Sequence, residues 1–505
     1  MDRRASRFTL LAAFTLAACS PDLVAPIKAP SSPNFAKSVG ASARHIVLVN
    51  GSEGAEAFAS RVAALGGSVS SFHEASGFGV VTGLSAQSAT QLASSGYDVQ
   101  PDIQVELDEP VMSAEADVSE VATAVDNHNQ LTPTLASRYN WQWNMDLIKA
   151  PVAWAEQKLG SSNVTVAILD TGLDYDAADL NGLVDLARSK SFMDTFVGRL
   201  DNPLTPDVNE QSPIVAADDV INTVNFPTRH LINDLNGHGT NVATQVSSRA
   251  HALAGVTSKT TLIGVKVLGA NGFGSFSDIM NGVLWAADKG ADVANMSLGG
   301  SFSKAGAGRS VSTINRIFNY ARQKGMVIVV SAGNEATDLQ HNRNGFKTYC
   351  DAPHVICVSS VGPIVPGGPG DIPAYFTNYG EGTVDIAGPG GNAGTVVSTW
   401  PYGAGTASYV WSYCPKQRLV ITRRAAPADT TRGNLSLTVC TSGTRISGFA
   451  GTSQASPHVA GLAALLVAEG VTDPALIKER IQASADPIAA AFGRGRINVK
   501  TALGL

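Results

Sequence analysis

Charged residues are scarce in this 505-residue chain, at 15% of the sequence, and no block of Lys or Arg interrupts it. Because proteins that follow a nucleic-acid backbone need such a basic patch, the composition argues against nucleic acid as a partner. No apolar run reaches the length of a transmembrane helix. Apolar residues still make up 44%, which is typical of a globular protein, and the length predicts two or more domains.

The N-terminus has the pattern of an export signal. Three arginines precede a short apolar stretch, residues 8–18, that ends at Cys19. This ending is similar to a bacterial lipoprotein box, and we favour lipidation of Cys19 over an ordinary signal peptide, which stays open as the alternative. We therefore predict a signal peptide at 1–19, a linker at 20–43, and export from a bacterial cell. The protein is then either secreted or lipid-anchored at the cell envelope, with the lipid as its only contact with the membrane.

Cysteine is also rare, with five in the whole chain. If Cys19 belongs to the signal, the other four allow three pairings in an oxidising compartment. Sequence neighbours favour Cys350 with Cys357 and Cys414 with Cys440. Free buried thiols are the alternative.

Residues 44–107 alternate strand-like and helical patterns in the order β-α-β-β-α-β. The clearest elements lie at 45–50, 55–65, 78–82, 85–93 and 99–107. This order is typical of a small α+β domain of the ferredoxin-like kind. The following residues, 108–135, are acidic and then polar without periodicity, which predicts a linker that proteases can reach.

The remaining residues, 136–505, alternate apolar runs with helical stretches. The apolar runs lie at 164–169, 262–268, 293–296, 327–330 and 355–358. Such runs predict strands that are buried on both faces of a parallel sheet. Since helical segments separate them, we predict an α/β fold with a doubly wound, mostly parallel sheet. Residues 403–443 break the alternation and predict a β-rich insertion.

Two residues are candidates for an acid–base pair. Asp170 directly follows the apolar run at 164–169, and α/β sheets place their sites at the carboxyl ends of strands. A structural Asp in a turn is the alternative. His238 lies in the run Gly237-His238-Gly239-Thr240, ahead of a helix-like stretch, where an imidazole can act as a general base.

A serine and an asparagine complete the candidates. Ser453 lies at the start of a long apolar helical run, where a backbone N–H and the helix dipole favour negative charge. A simple helix N-cap is the alternative, and Ser456 followed by Pro457 suits that role better. Asn334 follows the run at 327–330. Its side-chain amide can donate a hydrogen bond to an oxyanion formed at Ser453, and a role only as a turn residue is the alternative.

Two other hydrolase classes do not fit these residues. Asp170-Thr171-Gly172 has no second copy, whereas an aspartic protease needs two such carboxylates. The sequence around Ser453 lacks Gly-x-Ser-x-Gly, and the candidates come in the order Asp, His, Ser, which argues against an α/β-hydrolase esterase.

Taken together, the segments around Asp170, His238, Asn334 and Ser453 resemble the subtilisin-like serine peptidases, the subtilase family, over roughly residues 141–505. The resemblance implies a secreted serine endopeptidase with Ser453 as nucleophile, His238 as general base and Asp170 as its partner. Asn334 and the N–H of Ser453 would bind the oxyanion. The implied substrates are proteins or peptides, and the chemistry needs no cofactor. A catalytically silent peptide-binding protein on the same fold is the alternative.

The resemblance also implies two substrate-binding segments, between which a peptide lies extended and adds a strand through main-chain hydrogen bonds. Their residues are Gly272, Phe273, Gly274, Ser297, Leu298, Gly299 and Gly300.

Further expectations come from the same resemblance. The domain at 44–107 resembles a propeptide that inhibits the enzyme until it is cut within 108–135, so the chain is expected to be a monomeric zymogen. Asp179 falls where relatives often have a calcium ligand, which makes it a candidate for structural calcium. Asn241 stands where the Gly-His-Gly-Thr motif of the family commonly continues with a second histidine.

Overall fold

The structure is a computed structural model that describes residues 44–51, 53–107, 112–117, 130–194, 197–200, 214–299, 301–303, 308–341, 345–347, 349–364, 367–392, 408–416 and 445–505. Its strands are β1 (His45–Leu48), β2 (Ser68–His73), β3 (Phe78–Thr82), β4 (Asp98–Pro101), β5 (Gln104–Glu106), β6 (Met112–Asp117), β7 (Thr165–Asp170), β8 (Lys190–Ser191), β9 (Val197–Leu200), β10 (Ile214–Ala217), β11 (Thr261–Lys266), β12 (Phe273–Ser275), β13 (Val293–Met296), β14 (Ser301–Ser303), β15 (Val327–Ser331), β16 (Gly345–Lys347), β17 (Val355–Val361), β18 (Ile386–Pro389), β19 (Val410–Tyr413) and β20 (Arg445–Ala450). Its α-helices are α1 (Ala55–Ala64), α2 (Ala86–Ser94), α3 (Trp143–Leu147), α4 (Ala150–Ala155), α5 (Asp218–Asn225), α6 (His238–Val246), α7 (Phe276–Asp288), α8 (Gly308–Gln323), α9 (Thr452–Ala468), α10 (Pro474–Ala483) and α11 (Val499–Ala502).

The first four strands form an antiparallel sheet in the order β2-β3-β1-β4, as the ferredoxin-like pattern predicts. Successive side chains of β1 point to opposite faces. Val47 packs with Phe58 of α1, whereas Ile46 and Leu48 share an apolar core with Ile314 of α8. The N-terminal domain therefore uses one face for its own helices and the other against the large domain.

Seven parallel strands form the central sheet of the large domain, in the order β18-β17-β15-β13-β7-β11-β8. β7 lies between β11 and β13, so the chain first extends the sheet on one side of β7 and then on the other. Such a reversal opens a crevice at the carboxyl ends of the strands, where α/β sheets bind ligands. The predicted doubly wound α/β fold is confirmed.

Helices cover both faces of this sheet. Ala167 and Leu169 of β7 face one core, which includes side chains of α7 and α8. Val166 and Ile168 face the other core, to which α6 and α9 contribute. The alternation along β7 explains why its run is apolar throughout.

The strand predicted at 99–107 is in fact two strands. β4 ends at Pro101 and stays in the N-terminal sheet, whereas β5 pairs antiparallel with β12 of the large domain. Asp102 lies at the break, where its Oδ1 accepts hydrogen bonds from the N–H groups of Ile103 and Ser277, both at 3.0 Å. The pairing partner of β5 is far away in sequence, so local periodicity could not separate the two strands.

The predicted insertion at 403–443 is described only at 408–416, which includes β19. β19 pairs antiparallel with β20, and β6 pairs with the other edge of β20. The predicted signal and linker at 1–43 lie outside the described residues. Within the described ranges, no helix has both the length and the apolar character needed to cross a membrane.

Candidate active site

Asp170 and His238 meet at the carboxyl edge of the central sheet. Asp170 is the last residue of β7, and His238 is the first residue of α6. Oδ1 of Asp170 lies 2.8 Å from Nδ1 of His238 and 2.7 Å from the backbone nitrogen of Thr171. Both side chains are buried. Because the carboxylate accepts the Nδ1–H hydrogen bond, Nε2 is the basic nitrogen of the neutral imidazole.

The close approach of α6 to β7 depends on Gly239. A Cβ atom at this position would lie 2.1 Å from the carbonyl oxygen of Gly172 and 3.2 Å from Cβ of Asp170. No side-chain carbon tolerates 2.1 Å, so any larger residue would push the helix away from the strand. The glycine beside the histidine thus keeps the imidazole within reach of the carboxylate.

A further carboxylate, Asp234, holds the turn before His238 and was not among the predicted residues. It is fully buried, and its two oxygens accept hydrogen bonds of 2.6–3.0 Å from five groups. The donors are the N–H groups of Asn236, Gly237 and Thr240 and the hydroxyls of Thr171 and Thr240. Asp234 therefore ties the end of β7 to the start of α6. An Asp just ahead of a helix N-terminus is the sequence signal that could have indicated it.

Ser453 lies in the first turn of α9, which follows β20 after one intervening residue, Gly451. The hypothesis that Ser456 caps this helix is wrong, because α9 begins at Thr452 and Pro457 lies inside it. The nucleophile candidate therefore has its backbone N–H at the positive end of a long helix, where negative charge is stabilised.

Ser297 supports this turn from the end of β13. Its hydroxyl donates to the carbonyl oxygen of Ser453 at 2.8 Å. Pro457 has no N–H with which to continue the helical ladder to that carbonyl, so Ser297 supplies the missing donor. The hydroxyl of Ser453 in turn donates to the carbonyl oxygen of Ser297 at 3.3 Å.

Asn334 is anchored beside the nucleophile by its own amide oxygen. Its Oδ1 accepts hydrogen bonds from the backbone N–H and the hydroxyl of Thr452, at 2.8 and 2.9 Å. Because a backbone N–H can only donate, the amide oxygen must face Thr452 and Nδ2 is the remaining donor. A fixed amide donor next to the nucleophile suits stabilisation of an oxyanion.

Replacing Asn334 with Ala is expected to lower kcat by ~10²–10³ with little change in KM, the size of the loss known for one oxyanion donor in subtilisin itself. Asn334→Asp is the sharper variant, since it keeps an acceptor for Thr452 but lacks the donor. Steady-state kinetics on one chromogenic peptide measure both variants. A wild-type kcat in Asn334→Asp contradicts the assigned role.

The first predicted substrate-binding segment, Gly272–Gly274, adjoins a strand that the N-terminal domain supplies. β12 pairs with β5, and the N–H of Leu107 donates to the carbonyl oxygen of Gly272 at 2.7 Å. The C-terminal end of the N-terminal domain thus takes the edge on which a substrate strand was predicted. Of the second segment, Ser297, Leu298 and Gly299 directly follow β13 and are buried, while Gly300 lies outside the described residues.

Asp179, the candidate calcium ligand, has other partners. Its carboxylate accepts the N–H groups of His251, Ala252 and Leu253 at 2.8, 3.0 and 3.1 Å. Burial raises the pKa of this carboxyl to about 6. Both oxygens hold a backbone turn, and no group of three or more His, Cys, Asp or Glu suited to a metal occurs among the described residues. The surroundings of Asp179 therefore do not fit a calcium ion, which needs six to eight oxygen ligands.

A disulfide joins Cys350 to Cys357 in β17, the pair that sequence proximity favoured. Cys414 is also disulfide-bonded. Its predicted partner Cys440 and the lipidation candidate Cys19 lie outside the described residues.

The three triad candidates are closed off from solvent. Ser453 and Asp170 have no exposed surface, and 1% of His238 is exposed. A substrate therefore cannot reach Ser453 unless part of the chain moves away.

The fold and this site define a serine-type endopeptidase of the subtilisin kind. The profile of the subtilase family matches residues 161–495, more than half of the chain, and the protein belongs to that family. It is 29% identical over 373 residues to the thermophilic serine proteinase of Bacillus sp. (strain AK1), covering 73% of this chain and 68% of that protein. It is 27% identical over 377 residues to thermitase of Thermoactinomyces vulgaris, covering 74% and 98%.

A solved structure extends the likeness to the N-terminal domain. The epidermin leader peptide processing serine protease of Staphylococcus aureus is similar with a TM-score of 0.65 at 20% identity, covering 92% of this chain and 98% of that one. At this identity the similarity shows the fold alone.

Proposed function

We propose that this protein is a serine endopeptidase that hydrolyses peptide bonds of proteins through an acyl-enzyme on Ser453. The observation that carries the proposal is the buried hydrogen bond between Asp170 and His238, at the same sheet edge as Ser453 and Asn334. Phe449, four residues before Ser453, has its ring centroid 6.5 Å from that of His238. This contact supports the proposed approach of His238 to Ser453, because Phe449 belongs to β20, the strand that leads into the nucleophile turn.

In acylation, Oγ of Ser453 bonds to the scissile carbonyl carbon while Nε2 of His238 takes the hydroxyl proton. The carbonyl oxygen becomes an oxyanion, which accepts hydrogen bonds from Nδ2 of Asn334 and the N–H of Ser453. As the C–N bond breaks, His238 passes its proton to the leaving amine, and Asp170 stabilises the imidazolium in between. Water then attacks the ester by the same route and releases the acid.

We also propose that the chain is made as a zymogen that its own domain at 44–107 inhibits. The pairing of β5 with β12 and the burial of Ser453 support this, because the inhibitor takes the edge a substrate needs. Side chains of β1 and α8 lie in one apolar core, and burial of this core stabilises the binding of the N-terminal domain to the large domain. The cut is proposed within 108–135, which the structure describes at 112–117 and 130–135.

An ion cluster connects the two domains at the N-terminus of α7. Arg44 pairs with Asp102, Nε to Oδ2, at 3.2 Å, and also with Asp278. Two carboxylates thus share one guanidinium in a buried site. Desolvation raises the pKa of Asp102, and it raises the pKa of Asp278 to about 6.

The N-terminal domain is expected to leave the cut enzyme more readily at about pH 8 than at about pH 5. A carboxyl whose pKa is raised in the complex favours the complex below its ordinary pKa, and this advantage is lost as the pH rises past about 6. Gel filtration of the matured sample against pH measures the retained domain. Asp278→Asn cannot titrate and is expected to flatten the pH dependence. Retention that increases with pH contradicts the assignment.

Export is proposed on two grounds. The N-terminus has a signal pattern, and the disulfide between Cys350 and Cys357 is of the kind that persists in oxidising compartments. Lipid on Cys19 is the proposed anchor at the cell envelope.

Covalent labelling tests the proposed chemistry. A serine-directed phosphonate should modify the matured protein once, on the peptide that contains Ser453, as read by mass spectrometry. Ser453→Ala should remain unlabelled. Labelling at another serine would mean that Ser453 is not the nucleophile. No labelling while peptides still bind to the matured protein would favour the catalytically silent binding protein.

A further inference from the structure

We infer that the side-chain amide of Gln454 donates a third hydrogen bond to the oxyanion, in addition to those from Nδ2 of Asn334 and the N–H of Ser453. This deepens the proposed function and rests on it. The role is catalytic, because the amide contacts the reacting oxygen. It belongs to the tetrahedral state, in which that oxygen carries a full negative charge.

Gln454 has a buried side chain whose polar atoms are not used by the fold. None of its surface is exposed, and among the described residues neither Oε1 nor Nε2 has a hydrogen-bond partner. Buried amides normally have partners, because an unpaired one costs free energy comparable to a lost hydrogen bond. An unpaired amide directly after the nucleophile therefore indicates a partner that forms only during the reaction.

The backbone of Gln454 is fixed, so only the side chain is free to turn. Its N–H donates to the carbonyl oxygen of Gly451 at 3.1 Å. Its carbonyl oxygen accepts a hydrogen bond of 2.8 Å from Nδ1 of His458. Burial lowers the pKa of His458 to about 4, so this imidazole stays neutral at neutral pH and keeps its proton on Nδ1. The amide of Gln454 thus starts from a well-defined position.

The amides of Gln454 and Asn334 face the same small space. A Cβ atom built on Gly451 would lie 2.9 Å from Oε1 of Gln454 and 3.4 Å from Nδ2 of Asn334. Two atoms this close to a common point can both reach a single oxygen at hydrogen-bonding distance. Gly451 has no side chain to fill the space, and Ser453 follows two residues later in the chain.

Rotation of the amide brings its donor to this position. A half-turn of the last torsion of Gln454 exchanges Oε1 with Nε2, two atoms of nearly the same size. Since neither atom has a partner among the described residues, the rotation breaks no hydrogen bond there. The charged oxyanion favours the rotamer that places Nε2 beside Nδ2 of Asn334, and a neutral carbonyl favours it much less. The contribution is therefore expected in kcat and not in KM.

Gln454→Met removes the donor and keeps the approximate length of the side chain. We expect kcat to fall by about 10- to 100-fold with little change in KM, the worth of one hydrogen bond to a charged group. Gln454→Glu is expected to lower kcat further, because it places a negative charge beside the oxyanion. Steady-state kinetics of the matured protein on one chromogenic peptide measure both variants. A wild-type kcat in Gln454→Met overturns the inference.

The same substitution is expected to raise the thermal unfolding midpoint by a few degrees. No hydrogen bond to the described residues is lost, and an unpaired polar group is replaced by an apolar one. Midpoints are measured on full-length protein that also carries Ser453→Ala, which prevents self-cleavage. A midpoint below that of the Ser453→Ala protein would mean that the amide has a structural partner, and it contradicts the inference.

Gln142→Met is the matched control. Gln142 is also buried, but its amide forms two hydrogen bonds with the backbone of Ala254, of 2.8 and 2.7 Å. This variant is expected to lower the unfolding midpoint and to keep the wild-type kcat, the opposite of the pattern expected for Gln454→Met.

A peptide aldehyde labelled with carbon-13 at its carbonyl tests the contact directly. Oγ of Ser453 bonds to the aldehyde carbon, His238 takes the hydroxyl proton, and the aldehyde oxygen becomes the oxyanion. NMR of the labelled carbon against pH follows the ionisation of that oxygen in the matured protein. Because a lost donor destabilises the charged form, Gln454→Met should raise the pKa of the oxygen, whereas Gln142→Met should not. An unchanged pKa in Gln454→Met overturns the third donor.

The outcomes separate this inference from the proposed function. If wild type cuts the peptide and forms the aldehyde adduct, but Gln454→Met equals it in kcat and in the pKa of the adduct oxygen, only the third donor fails. If wild type neither cuts the peptide nor forms the adduct, the proposed function fails, and the third donor fails with it.

Discussion

Ser453→Ala is expected to keep the chain at full length and to lower casein hydrolysis by about 10⁶, the loss known for the nucleophile of subtilisin. Alanine removes the Oγ that forms the acyl-enzyme, while α9 retains its N-cap and the hydrogen bond of Ser297 to the backbone carbonyl. Wild type should give a shorter product, because its own nucleophile cuts the linker. Intact mass and casein hydrolysis on both proteins, purified side by side, measure the effect and locate the cut.

A buried serine elsewhere provides the control. Ser247 is fully buried, and its hydroxyl donates to the carbonyl oxygen of Thr260 at 3.0 Å. Ser247→Ala therefore loses a comparable hydrogen bond without touching the site, and it should mature and cut casein. If Ser453→Ala matures unaided and remains active, Ser453 is not the nucleophile.

Asp170→Asn is expected to lower kcat by about 10⁴, as in serine proteases with the same triad, and to leave the fold intact. An amide oxygen in place of Oδ1 still accepts the N–H groups of Thr171 and His238. What is lost is the negative charge that keeps the proton of the neutral imidazole on Nδ1 and stabilises the imidazolium when His238 takes the serine proton. kcat on a chromogenic peptide and the thermal unfolding midpoint are the two measurements.

Asp185→Asn serves as the matched control. Asp185 lies outside the candidate site, and its Oδ2 pairs with Nε of Arg188 at 2.7 Å. It should keep wild-type kcat. A kcat for Asp170→Asn within about tenfold of wild type would mean that the charge of Asp170 does not act in the rate-limiting step.

The candidates for the chemistry could be chosen from the sequence because each lies in a short local pattern. Asp170 ends an apolar run, His238 lies between glycines, and Ser453 opens an apolar helical stretch. Strand and helix periods are local properties of the backbone, so the parallel sheet and the edge that carries the site were also predictable. The match to the subtilase family confirms both the fold and the class of enzyme.

The supporting contacts could not be predicted, because they join residues that are distant in the chain. Asp234 reaches Thr171 across 63 positions, and Ser297 reaches Ser453 across 156. Asp179 showed a calcium-like position in sequence, yet its oxygens accept three backbone N–H groups. The hydrogen-bond donors that surround a buried carboxylate are set by the tertiary structure, so they cannot be inferred from the residues next to it in the sequence.

The pairing of β5 and β6 shows the same division most clearly. By itself, the sequence determined which residues are the candidates for the chemistry, since acid–base character, helix starts and apolar periodicity belong to single residues and their neighbours. Only the tertiary structure decided that one stretch, 104–117, pairs first with β12 and then with β20. Strand pairing depends on which backbone edges the fold leaves open, and an open edge is a property of the assembled sheet.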